Sequence, residues 1–266
     1  MDYEPFHYPN TFLLLLGYAK AYFHLPYRQT KEGIAQGHAN GKVPSIPDYT
    51  TINRRINRLD IKINDTDSKN KDFEDEYIVI AIDSTGIKVT NRGQWMKDKW
   101  NVRKKGYLKI HIATVNVKSK KILSIKVTDE HVHDSKALPE LVDDIIKSDN
   151  MTTLGKLFAD GAYDNNDIFR CLSDNGILLP CIKVRKNAKV RLKKGHILRN
   201  LSVISQRNDL QKWKDSIVSY GQRWIVETVF SAIKRMFGEY VYSVRLKNMI
   251  QEMMLKASLY NKMISI

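Results

Sequence analysis

With 266 residues and 42% hydrophobic content, the chain can build one large domain, or a medium domain with a small companion. Its longest clean apolar run near the N-terminus, residues 12–16, is too short to cross a bilayer and lacks the basic leader and cleavage site of a signal peptide. Its two cysteines, Cys171 and Cys181, have no zinc or disulfide spacing and read as small buried hydrophobes in a reducing compartment. The net charge of +15 is concentrated in two windows. Residues 181–247 carry 16 Lys/Arg against four acids, and residues 88–109 carry eight against one. Segregated positive charge implies a track for a polyanion, with nucleic acid ahead of an anionic membrane.

Residues 1–70 read as a small helical region. After Pro5 and Pro9 a helix is expected over residues 11–24, with Thr11 as N-cap and Pro26 as stop. A second is expected over residues 30–38. A third, capped by Asp48 or Thr50, turns Ile52, Ile56 and Leu59 inward and Asn53, Arg54, Asn57 and Arg58 outward. Two readings of it stand level: the recognition helix of a helix-turn-helix, with Arg54 and Arg58 on DNA, or a packing helix with a solvated face. Residues 64–76 are polar and charged and read as a linker.

The remainder, residues 71–266, reads as an α/β domain with a mixed sheet. Residues 77–86 are a continuous apolar run ending in Asp83, as in a strand buried on both faces. Strands follow over residues 106–117 and 122–128, forming a meander with the first. Next come a helix over 134–147 with Leu138, Leu141, Val142, Ile145 and Ile146 inward, and a strand over 157–162 carrying Asp160. A helix over 164–175 closed by Gly176, and a strand over 177–184, complete the series. A basic interruption spans about 185–214, and a Met-rich helix occupies 247–263. Three strands, helix, strand, helix, strand and a late long helix is the element order of a ribonuclease-H-like fold.

The late helix, over residues 219–235, organises the rest. Ile225, Val226, Val229, Phe230, Ile233, Met236 and Phe237 make one apolar stripe. Tyr220, Arg223, Ser231 and Lys234 fall within about 40° of Glu227 on the opposite side. A solvated face with Arg223 paired to Glu227 is the competing reading. Three carboxylates now stand out: Asp83 and Asp160 at strand ends and Glu227 on a helix face. First and fourth strands are neighbours in such a sheet, so the two Asp ends can lie side by side. Three converging acids repel unless a cation lies among them. Oxygen-only ligation suits Mg²⁺ or Mn²⁺, and two such ions can serve an in-line phosphoryl transfer.

The motifs Ala81-Ile82-Asp83-Ser84-Thr85-Gly86 and Phe158-Ala159-Asp160-Gly161-Ala162-Tyr163-Asp164 point the same way. So does a helix matching Tyr-x2-Arg-x3-Glu-x6-Lys at Tyr220, Arg223, Glu227 and Lys234. Together they resemble the insertion-sequence DDE transposases, family-five group of the four/five superfamily. The segment Arg185-Lys186-Asn187-Ala188 and the stretches 25–29 and 47–51 resemble that group too. The resemblance implies a catalytic, metal-binding triad of Asp83, Asp160 and Glu227, and Tyr220, Arg223 and Lys234 on the DNA end. It implies double-stranded DNA, both element termini and target, as partner, and a homodimer once assembled on it. Lys88, Arg103, Lys109, Arg185 and Lys186 join the DNA-binding candidates because they lie in the basic windows. A cytoplasmic, nucleoid-associated protein is expected.

Other features have plainer readings. His131 and His133 make a thin metal site and read better as loop residues. Trp95 and Trp100, among cations, are equally core anchors or base-stacking platforms. Lys109 and His111 share a strand face, turned to nucleic acid or to solvent. Asp134, Asp164 and Asp167 read as caps. Two alternatives to a transposase remain open: a metal-dependent nuclease without joining activity, and a non-catalytic DNA-binding protein.

Overall fold

A computed structural model of the protein describes residues 8–41, 45–63, 78–89, 107–115, 119–148, 154–177, 179–216 and 219–265. The linker expected over 64–76, together with Trp95, Trp100 and Arg103, lies outside the described residues. The chain divides into two compact units. One comprises Met1–Lys62, Lys88–Lys105 and Ile233–Ile266; the other comprises Ile63–Ile87 and Gly106–Ala232.

The first unit is helical. Helix α1 (Asn10–Tyr22) starts one residue before the expected cap. Pro9, extended at φ −61° and ψ 149°, holds the N-cap position, so Thr11 lies inside the first turn. Pro26 does the same for α2 (Tyr27–Ala39), which therefore starts earlier than residue 30. In α3 (Tyr49–Ile56) the Asp48 carboxylate accepts from the Thr50 N–H at 2.9 Å and from its hydroxyl, as a cap should. Leu13, Ile52 and Ile56 are fully buried with Leu16, Ile34 and Leu255, the last supplied by a long C-terminal helix, Leu246–Met263. Burial of each such side chain stabilises by about 1.5–3 kcal/mol. The Gln251 amide donates to the Ile56 and Leu59 carbonyls, closing the end of α3. A two-residue strand, Tyr240–Val241, pairs in parallel with Lys88 and Val89. Two residues carry no period, so no sequence pattern announces it.

The second unit is α/β. Strand β1 (Ile78–Val89), whose last two residues belong to the first unit, neighbours β2 (Tyr107–Val115) and β4 (Leu154–Ala159). The order is β3-β2-β1-β4-β5, with β3 over Ile122–Asp129 and β5 over Leu179–Ile182. Strands β2 and β3 are antiparallel; β4 is parallel to both β1 and β5. One face of the sheet, with Ile80, Ile82, Leu157, Ala159 and Ile182, forms a core with α4 (Asp134–Ser148) and α5 (Asn166–Asp174). Ile146, expected inward on α4, is 37% exposed, because the inward stripe ends at Ile145.

By alternation Ala81, Phe158 and Cys181 point to the opposite face. There the ring of Phe158 meets Tyr220 edge-on. The basic interruption is not bare loop. It contains α6 (Ile197–Asn208) and α7 (Leu210–Asp215). The late helix is shorter than expected: residues 220–223 form a 3₁₀ turn, and only Trp224–Phe237 is α-helix, here α8. The tight turn follows Ser219, which is left-handed at φ 47°. The C-terminal helix is α9.

Candidate active site

Strand β4 stops because of Asp160. The Asp160 carboxylate accepts the Ala162 N–H at 2.8 Å and caps a 3₁₀ turn over Gly161–Tyr163. Ala81 pairs with Phe158, so two residues further on Asp83 comes level with Asp160 on the same sheet face. The two carboxylates sense each other: Asp160 is among the charges that raise the Asp83 pKa. Burial is the larger cause, opposed by the Ser84 N–H and by Arg223.

Glu227 sits in the first turn of α8 with its side chain 55% exposed. Arg223, from the preceding 3₁₀ turn, joins it to Asp83, which was expected at a strand end but lies inside β1, since the strand runs on to Val89. Arg223 Nη1 donates to Asp83 Oδ2 at 2.8 Å, and Nη2 donates to Glu227 Oε1. Burial works against the guanidinium charge, but Asp83 and Glu227 together hold its pKa above the ordinary value. Both readings of Arg223, partner of Glu227 and member of the polar face, thus describe one clasp that reaches a second acid.

The oxygen-only donor set of Asp83, Asp160 and Glu227 fits a hard divalent cation in kind. With Arg223 holding two of the three acids, no group of three His, Cys, Asp or Glu side chains converges on a common point among the described residues.

The remaining site candidates fall in different environments. Tyr220 is buried; its hydroxyl donates to the Ala159 carbonyl at 3.0 Å and its ring contacts Trp213. Burial pushes its pKa up to about 12. It therefore seats the turn on β4 and does not lie on the open helix face. Lys109, expected at nucleic acid or solvent, instead forms an ion pair with Asp134 at 2.7 Å. His111 is fully buried, its Nδ1 lying 3.3 Å from Asp134 Oδ1 and its Nε2 3.1 Å from the Thr128 hydroxyl. Arg185 and Lys186 are exposed, and Arg185 donates to the Gly161 carbonyl just after Asp160. In the helical unit, Arg54 and Arg58 are exposed, and Lys88 pairs with Glu239 at 3.2 Å. Lys234 is half-buried in the last turn of α8.

Sequence reasoning missed what Asp134 does. Burial opposes its ionisation, but the side chains of His111, Lys109 and Ser84 outweigh burial and lower its pKa. Ser84 follows Asp83, so this knot braces the stretch of β1 that carries Asp83. Tyr163, fully buried, points its hydroxyl into the same region, and burial with Asp134, Asp83 and Asp160 raises its pKa. The shared strand face of Lys109 and His111 was the available signal; their partner, 23 residues beyond His111, was not.

A mixed sheet with parallel β1 and β4 flanked by helices is the architecture of a ribonuclease-H-like DDE domain, with Asp83 inside β1, Asp160 just after β4 and Glu227 on α8. Residues 74–262 match the family described as Transposase DDE domain, and residues 3–92 match a second family with the same description. The chain belongs to the DDE transposase family, whose substrate is DNA and whose members normally use divalent metals. Among the described residues no helix is long and apolar enough to cross a membrane.

Proposed function

We propose that this transposase cuts DNA at the ends of a mobile element and joins the freed 3′-hydroxyl to target DNA, using Asp83, Asp160 and Glu227 as its acids. The observation that carries this reading is the level placement of Asp83 and Asp160 on adjacent parallel strands, with Glu227 tied to Asp83 through Arg223. The three carboxylates would hold Mg²⁺ or Mn²⁺, which when bound supplies positive charge at the scissile phosphate and lowers the pKa of the attacking oxygen.

The chain's own residues prepare that chemistry. Tyr220 fixes the 3₁₀ turn on β4, which sets the height of Arg223 over Asp83. The guanidinium fork is the group best suited to leave the carboxylates and take two oxygens of an arriving phosphate. That exchange frees Asp83 and Glu227 when DNA is in place. Lys234, Arg185, Lys186, Lys88, Arg54 and Arg58 supply backbone-holding charge, a role that steadies DNA without reading its sequence. Two ends cut in concert call for two copies of the chain, hence a dimer on DNA.

The test is cleavage of DNA bearing the flanking element ends, in Mg²⁺ and in EDTA, by wild type and by Asp83→Ala, Asp160→Ala and Glu227→Ala. Mg²⁺-dependent cuts at the ends, lost in all three variants, are expected, with joined products in a strand-transfer assay. Cuts that survive Asp83→Ala sink the assignment of the acids. Cuts without joined products make the chain a nuclease.

A further inference from the structure

The α/β unit contains a second charged feature, away from the acids themselves. An open polar cleft of about 780 Å³ is lined by Lys136, Arg185, Lys189 and Arg191, with His133 and Asn165 at its wall. Lys136 lies in the first turn of α4, and Asn165 caps α5 by accepting the Asp167 N–H. The positive ends of two helices therefore add to the cations of the loop after β5.

The acid at the cleft does not neutralise this charge. Asp164 is fully committed: Arg199 donates to it from Nε at 2.6 Å and from Nη2 at 3.1 Å, and the Arg185 N–H donates at 2.9 Å. That buried pair is a neutral floor. Among the described residues, Lys136, Lys189 and Arg191 have no carboxylate partner, and all three are exposed. Arg185 directs Nε and Nη2 at the carbonyls of Gly161 and Ala162. Four like charges around one cleft repel, and among the described residues only Arg185 of the four holds part of the fold in place, at the carbonyls of Gly161 and Ala162. Charge kept at a cost to the folded state is the mark of a ligand site.

We propose that this cleft holds a backbone phosphate of the DNA on which the acids act. The inference rests on the functional reading above. The reason for choosing DNA is position: Arg185 grips the very turn that Asp160 caps, so cleft and acid share one rigid wall. A backbone strand lying over Asp160 is carried directly to the cleft. Held there, it resists sliding along its own axis, which sets the phosphate presented to the acids.

The experiment uses the full chain in EDTA, where binding is separated from cleavage. Affinity for element-end DNA is measured over a salt series for wild type, Lys189→Gln/Arg191→Gln and Lys136→Gln. The slope of log K against log salt should flatten by about 0.9 for each phosphate that a variant no longer neutralises. Lys147→Gln, at the far end of α4 and paired with Asp143, should leave the slope unchanged. Melting temperatures should hold or rise in the cleft variants, showing that they fold. Single methylphosphonates are then scanned along the DNA. At one position the modification should weaken wild type but weaken Lys189→Gln/Arg191→Gln no further.

Losses that add at every position overturn the proposal. Calorimetric titration with inorganic phosphate separates the other source. Phosphate binding lost in the double variant, alongside additive losses on DNA, assigns the cleft to a free anion and also overturns the proposal. Failure of the functional reading looks different: Asp160→Asn would cleave normally while the slope and methylphosphonate results stood.

Discussion

Arg223 carries the sharpest prediction. In Arg223→Gln the Asp83 carboxylate, 20% exposed, loses a charge-assisted hydrogen bond of 2.8 Å. Such bonds contribute about 1.5–3 kcal/mol. Stranding a fully buried charge costs about 3–5 kcal/mol, but Asp83 keeps some solvent and the Ser84 N–H at 2.8 Å. Glu227 is 55% exposed, so its arm adds at most about 0.5 kcal/mol. The expected loss at neutral pH is about 2–3 kcal/mol, or about 5–10 °C in melting temperature. Burial raises the Asp83 pKa even with Arg223 present, so without it the carboxyl protonates more readily still. The difference between wild type and variant is therefore full at neutral pH and fades as pH falls through that raised range. Thermal melts at neutral and acidic pH, in wild-type and Asp83→Asn backgrounds, provide the assay. In the Asp83→Asn background the cost of removing Arg223 should fall to about 0.5 kcal/mol. An equal loss in both backgrounds, or no loss at neutral pH, refutes the clasp.

Three further outcomes follow from buried polar groups. The folded pKa of Asp134 is lowered, so its contribution is present above the ordinary aspartate value of about 3.9 and is lost as pH falls through the folded one. In urea titrations the advantage of wild type over Asp134→Asn should be flat from neutral pH to about 4 and shrink below it. Equal stability at neutral pH would deny Asp134 its bracing role. The Tyr163 hydroxyl is buried and has no hydrogen-bond partner among the described residues, so Tyr163→Phe should be neutral or stabilising by up to about 1 kcal/mol. A clear drop in melting temperature would reveal a partner that the geometry does not show. Glu252 is buried in the helical unit, where it accepts the N–H groups of Tyr242 and Ser243 and pairs with Lys256. Glu252→Ala should cost about 3–5 kcal/mol and Glu252→Gln distinctly less, read by chemical denaturation.

The element order and the three candidate carboxylates, Asp83, Asp160 and Glu227, stand out in the sequence because each leaves a local mark. Apolar runs ending in Asp83 and Asp160 announce buried strands, and the stripe from Ile225 to Phe237 announces a helix. Those patterns are set by backbone period and burial, which neighbouring residues encode. The Asp48 cap was equally local: one carboxylate and the N–H two residues on. Boundaries fared worse where a proline set the backbone, as at Pro9 and Pro26, or where a left-handed Ser219 forced a 3₁₀ turn.

What only the tertiary structure decided is who meets whom. Parallel pairing of β1 and β4 brings Asp83 level with Asp160 across 77 residues of sequence. Arg223 has an evident local partner in Glu227, and nothing local reveals its second partner, 140 residues away. Lys109 and His111 read as surface residues until Asp134 is folded against them, and Tyr220 reads as a helix-face phenol until its hydroxyl finds the Ala159 carbonyl. A sequence records the chemistry and period of each segment. Partner choice between segments depends on sheet order and register, which are set by burial of the whole core at once.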